Sequence, residues 1–196
     1  MGRKKTGLDR RIMKEATDLF YLQGYTNTGV QQIVERAGTN KPGLYTYFEG
    51  KGDLARQYLS QRNQYIINGI IKAGEGADSP GEFFQAWMRY TRTLIRNQDP
   101  ELPQYNGCPV ANFALQTPAD DEEMQNFIRV ITTRWYSHLV AYFRREIKSG
   151  RFAPQPSAAV LARRMLLLHQ GAITMWKLTG RIQFIDEAAE IFEMTV

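Results

Sequence analysis

T-G-V-Q-Q-I-V-E-R-A-G-T-N-K-P-G-L-Y-T-Y-F-E-G-K, residues 28–51, reads as two short helices joined by a tight turn. The first is expected over about 29–37. Thr28 is a suitable N-cap, and Gln31 three residues on completes a capping-box spacing. Val30, Ile33, Val34 and Ala37 fall at i, i+3, i+4, i+7 and make one apolar face. Gly38 stops that helix, because glycine takes a left-handed C-terminal conformation at little cost. Asn40 can cap the second helix, and Pro42 sits in its first turn, where the missing N–H is not needed. Leu44, Tyr47 and Phe48 point towards the first helix. Lys41, Gly43, Tyr45 and Thr46 are left pointing outward.

Such a pair is a helix-turn-helix, whose second helix enters the DNA major groove. An ordinary helical hairpin shares the spacing, so the outward residues decide between the two. Lys41 and Lys51 can neutralise phosphates, while Tyr45, Thr46 and Asn40 can bond phosphate oxygens or base edges.

Gly24-Tyr25, Thr28, Ile33, Ala37-Gly38, Lys41, Leu44-Tyr45-x-Tyr47-Phe48 and Lys51 together resemble the N-terminal DNA-binding signature of the TetR/AcrR family of bacterial regulators. The resemblance covers about residues 8–55. It implies an operator-binding head, a homodimer formed through the last two helices, and a small-molecule pocket in the second domain. Ligand binding there is expected to shift the heads apart and release DNA. Where the family commonly has Ser-Lys-Gly-Thr, this chain has Asn40-Lys41-Pro42-Gly43, so Gly43 lacks a side chain where relatives often carry a hydroxyl. The expected DNA-contacting set is Arg3, Lys4, Lys5, Thr28, Asn40, Lys41, Gly43, Tyr45, Thr46 and Lys51.

Charge agrees with a polyanionic partner. The net charge is +5, and residues 1–51 hold nine Lys/Arg against five acids, so +4 of it lies in the first quarter of the chain. Arg3, Lys4 and Lys5 lie in an N-terminal arm that can add sequence-blind, salt-dependent affinity; a solvated terminus is the plain alternative. No run of about 18 apolar residues is present to span a membrane. The basic N-terminus lacks the apolar stretch of a signal peptide, and a cytoplasmic location is expected.

The rest of the chain reads as helices, giving an all-α fold of about nine. A helix over about 9–23 carries Ile12, Ala16, Leu19 and Phe20 on one face. Asp53 caps a long helix running to about Ala73. Further helices are expected over about 82–96, 108–115, 120–148, 157–178 and from 184 onward, broken at Gly- and Pro-containing stretches. The acids at 120–123 suit a helix N-terminus. The helix after Ser157 is apolar nearly all round at Met165–Leu168 and calls for burial on both faces. Two broad apolar helices at the C-terminus fit an isologous four-helix dimer contact, or else they fill the monomer core. The expected division is a DNA-binding head over 1–52 and a ligand-binding and dimerisation domain over 53–196.

The second domain is dense in aromatic and soft residues, which make adaptable apolar cavities. Trp87, Met88, Tyr105, Phe113, Phe127, Trp135, Tyr142, Met175 and Trp176 are its candidate pocket residues, with Met165 in the same class. His138 and His169 read as core histidines. No Cys/His or carboxylate spacing makes a metal site, and no cofactor is expected. Cys108, the single cysteine, precedes Pro109 at the start of a helix. Gly107-Cys108-x-x-x-Asn112 resembles a segment in the family branch of N-ethylmaleimide reductase-type repressors, some of which sense electrophiles through a cysteine. Lys177 is placed to lend positive charge nearby. Cys108 is then either an activated thiol or a small buried filler.

The sequence therefore points to a homodimeric repressor released from a palindromic operator by a small molecule or an electrophile. A ligand-independent DNA-binding or architectural factor is the alternative. No nucleophile and base share a useful spacing, and no phosphate loop is present, so an enzyme is not expected.

Overall fold

The computed structural model describes residues 7–99 and 104–196. Among them are nine α-helices: α1 Gly7–Leu22, α2 Val30–Arg36, α3 Lys41–Tyr45, α4 Lys51–Gly74, α5 Pro80–Ile95, α6 Pro109–Ala114, α7 Glu122–Lys148, α8 Ala158–Thr179 and α9 Gln183–Glu193. No strand is present among the described residues, and no helix among them is long and apolar enough to cross a membrane. Packing groups residues up to 64 with 109–130, and residues 65–108 with 131–196. The first unit therefore takes in the start of α4, all of α6 and the start of α7, so its packing extends past the expected functional boundary at residue 52.

The first unit forms around the apolar stripes read from the sequence. Ile12, Ala16, Leu19 and Phe20 of α1 bury against Ile33 and Val34 of α2 and Leu44 of α3, all at most 3% exposed. Burial of this kind stabilises each large apolar side chain by about 1.5–3 kcal/mol relative to leaving it in water. Phe113 of α6 joins the same core. Its ring centroid lies 4.8 Å from Tyr25, 5.9 Å from Tyr58 and 6.2 Å from Phe20.

The capping differs from expectation in two places. Gly29, not Thr28, is the N-cap of α2, and no side chain caps that end. Thr28 is only 1% exposed, and its hydroxyl donates to the Gly24 carbonyl at 2.7 Å, which closes the preceding turn in place of capping the helix. Asp53 is not the cap of α4 either. It lies inside the first turn and accepts from the Glu49 N–H at 3.2 Å, reaching back over the helix start. By contrast Ser79, which precedes the expected start at residue 82, caps α5 by accepting from the Glu82 N–H at 3.0 Å.

In the second unit α9 packs on α8 and α5, and α5 on α8. Its core includes Phe83, Phe84, Trp87, Phe143, Leu161, Met165, Ile185 and Phe192. Helix α8 is not covered on both faces within one chain. Met165 is fully buried, but Leu167 is 72% and Leu178 74% exposed. Arg163, Leu166, Leu167, Gln170, Gly171, Thr174 and Met175 line an open apolar trough along it.

Candidate nucleic-acid interface and effector site

The turn between α2 and α3 is built by hydrogen bonds that glycine and asparagine make possible. Gly38 is left-handed at φ 63°. Its N–H donates to Glu35 O at 3.1 Å, and the Thr39 N–H donates to Val34 O at 2.9 Å, the paired bonds of a Schellman end. Asn40 then caps α3, its Oδ1 accepting from the Gly43 N–H at 2.9 Å. That cap fixes the direction in which α3 leaves the turn.

Helix α3 buries Leu44 completely and Phe48 follows it inward, whereas Tyr47 is only half-buried. Asn40, Lys41, Tyr45 and Thr46 are exposed together, with Tyr45 at 54%, and Gly43 is half-exposed between them. The Thr46 hydroxyl donates to Pro42 O at 3.0 Å, which leaves it acceptor in character. An ideal Cβ on Gly43 would lie 2.4 Å from Thr39 Oγ1. The Thr39 hydroxyl thus fills the space beside Gly43. Nothing in the sequence spacing of Thr39 marks it as part of this surface.

Packing turns two of the expected DNA-contacting side chains inward. The Thr28 side chain is buried and its hydroxyl is engaged with Gly24 O. The Lys51 ammonium lies over the Tyr25 ring, 4.2 Å from its centroid, and burial lowers its pKa. It is thereby held inward against an aromatic face rather than projecting as a solvated charge. Arg3, Lys4 and Lys5 lie outside the described residues. Lys14 pairs with Asp18 at 2.9 Å and Arg36 with Glu15 at 2.8 Å. Arg10, Arg11 and Lys41 make no ion pair among the described residues, so their charge is available to a polyanion.

The eleven candidate effector residues are divided between the two units. Phe113 belongs to the aromatic core of the first unit, and Phe127 lies in that unit as well. In the second unit Trp87 stacks on His169 at 3.9 Å, and Tyr105 stacks on Trp176 at 5.5 Å. Trp135 is core. The Tyr142 hydroxyl donates to Gly74 O at 2.8 Å, and its ring borders a cavity with His138, Arg145, Glu146 and Arg151. His138 is accordingly half-exposed and not a core histidine. Met175 and Lys177 are exposed on α8, where partial burial lowers the Lys177 pKa. Met88 alone among the eleven borders the groove of about 510 Å³ between α5 and α9. That groove has Arg89, Arg92 and Asp186 on its walls, and Arg92 pairs with Asp186 at 3.0 Å. Its polar members were missed because each reads alone as a solvated helix charge. Only the crossing of α5 and α9 brings them together.

Cys108 is in no disulfide and is only 6% exposed. Burial keeps it away from electrophiles in this state, against the activated reading. His169 is only 6% exposed, and desolvation lowers its pKa to about 3, so the ring is neutral. Thr91 commits its proton to Trp87 O at 3.1 Å. The His169 Nε2–H therefore donates to Thr91 Oγ1 at 3.1 Å, and Nδ1 is left without a partner among the described residues. Among the described residues no group of three or more His, Cys, Asp or Glu is arranged to hold a metal ion.

With this geometry in place, comparison with known proteins is informative. Residues 12–58 match the model for bacterial regulatory proteins of the tetR family, and residues 81–192 match the tetracyclin repressor-like C-terminal domain. The regulator LmrA of Bacillus subtilis is 30% identical over 65% of this chain and 66% of its own length, just under two thirds. The repressor DhaR of a Mycobacterium species is 22% identical over 93% of this chain and 89% of its own. Among solved structures, a cysteine variant of the regulator CifR bound to 26-bp operator DNA superposes with a TM-score of 0.79. It shares 22% identity and covers 96% of this chain and 97% of its own.

Proposed function

Because this chain belongs to the TetR family of bacterial regulatory proteins, a transcriptional regulator that binds operator DNA rather than an enzyme, we propose that it is a homodimeric repressor displaced from a palindromic operator by a small molecule. The observation that carries this reading is the solvent-facing set Asn40, Lys41, Tyr45 and Thr46 on a helix fixed by the Asn40 cap. Lys41 serves phosphates, and Tyr45, Thr46 and Asn40 serve base edges. On this reading residues 1–52 are the DNA-binding part and 53–196 carry ligand and partner. The uncovered apolar face of α8 supports a second copy seated there. Two recognition helices about 34–36 Å apart would then read both halves of a palindrome. DhaR, similar over nearly the whole chain, is a repressor, which favours repression.

The inducer is taken as a reversibly bound molecule. The Gly107-Cys108-x-x-x-Asn112 segment keeps the reductase-repressor branch in view, but burial of Cys108 argues for the filler role. The test is fluorescence anisotropy with DNA from upstream of the protein's own gene. Tyr45→Ala is expected to abolish specific binding while light scattering reports an unchanged assembly. Specific binding retained by that variant would remove α3 as the reading helix. A quinone that releases wild type but not Cys108→Ser would replace the reversible inducer with a thiol switch.

A further inference from the structure

The first unit holds a cavity of about 290 Å³ beneath the segment that follows α3, with a buried carboxylate on its wall. Asp9, at the start of α1, is only 7% exposed, and its Oδ1 has no hydrogen-bond partner among the described residues. A buried carboxylate oxygen left unmatched is costly, and a donor that reaches it recovers that loss.

The neighbours repeat the same preference. Thr46 on the wall has given its proton to Pro42 O. Gln57 gives one amide hydrogen to Asp53 Oδ1 at 3.2 Å, and that bond turns its amide group towards Asp53 while its carbonyl oxygen can accept from a donor. Gln61, one turn further along α4, is exposed at the same wall and can present its own carbonyl. Met13 and Phe48 supply apolar surface beside these acceptors. Among the described residues Arg10 is the one cation on the wall, and its side chain is solvent-exposed.

We propose that this cavity binds a small organic cation, a primary ammonium or monosubstituted guanidinium with a short aliphatic tail. The charged head donates to Asp9 Oδ1 and to the Gln57 and Gln61 carbonyls, and the tail lies on Met13 and Phe48. A group that is charged but has no N–H, such as a quaternary ammonium, satisfies none of these acceptors. The volume suits such a molecule and excludes a large one. The site is separate from the α5–α9 groove and does not depend on which molecule acts as inducer.

Calorimetric titration of the full chain with n-butylguanidinium chloride tests this, with tetramethylammonium chloride at equal ionic strength as the control. Saturable binding of the guanidinium and none of the control is expected. Asp9→Asn is expected to weaken binding roughly tenfold or more, the scale of a hydrogen bond to a charged group. Gln61→Met, at an exposed position that leaves folding intact, is expected to weaken it roughly threefold. No saturable binding to wild type, equal binding of the control, or wild-type affinity in Gln61→Met would each overturn the proposal.

Discussion

The hydroxyl of Thr26 donates to the main-chain carbonyl of Gln116 at 2.8 Å, tying the turn before α2 to the residues that follow α6. The Gln116 side chain continues that contact over Gly24. An ideal Cβ on Gly24 would lie 1.6 Å from Gln116 Oε1. Gly24 is also left-handed, at φ 89°. Gly24→Ala should therefore destabilise the chain by about 1–2 kcal/mol through backbone strain, with a further loss from displacing Gln116. Adding Gln116→Ala should return the steric part and leave the strain. Chemical denaturation of the single and double variants separates the two, and full recovery in the double variant would show that strain contributes nothing.

Asn40 has two roles that substitution can separate. Asn40→Ala removes the cap of α3 and should cost about 1 kcal/mol of stability. Asn40→Asp keeps an oxygen acceptor for the Gly43 N–H, so stability should hold. It also sets a negative charge on the surface read as facing phosphates. Operator affinity should then fall more in Asn40→Asp than in Asn40→Ala, and the reverse order in anisotropy titrations would move Asn40 away from DNA.

Leu167 and Leu178 are the most exposed leucines of α8. Leu167→Glu should hold the chain monomeric at micromolar concentration with little change in monomer stability, since the side chain is solvated there already. Sedimentation velocity reads the outcome. An unchanged dimer would place the interface off this face.

The buried, neutral His169 makes stability pH-dependent in a definite direction. Its folded pKa of about 3 lies below the ordinary value of 6.5, so the unfolded chain takes up a proton first as pH falls. The contribution is complete above about pH 6.5 and is lost progressively towards pH 3, by up to about 1.4 kcal/mol per pH unit. His169→Phe keeps a ring against Trp87 but forfeits the bond to Thr91. It should be less stable than wild type at pH 7, and its stability should fall less steeply between pH 6.5 and 4.5. Denaturant midpoints across that range decide, and parallel slopes would exclude His169 as the source.

The helix-turn-helix was legible because its signals are local. The apolar spacing of Ile33 and Val34, the left-handed turn at Gly38 and the cap at Asn40 all act within a few residues, and all three hold in the structure. Thr28 failed as a cap because Gly24 O, four residues back, offered a buried acceptor that propensity does not see. The effector residues were least legible. Aromatic content marks where burial occurs but not which side chains meet, so Phe113 went to the first core while Arg89, Arg92 and Asp186 gathered unannounced on one groove.

By itself the sequence determined an all-helical chain with a DNA-reading head, because helix periodicity, caps and the family motif are written in neighbouring residues. Tertiary packing alone decided that Thr28 is buried, that Lys51 rests on Tyr25, that Cys108 is shielded and that Asp9 Oδ1 lacks a partner among the described residues. Each of those facts depends on which surface arrives from a distant part of the chain, and desolvation and hydrogen-bond partnership are properties of that arrival.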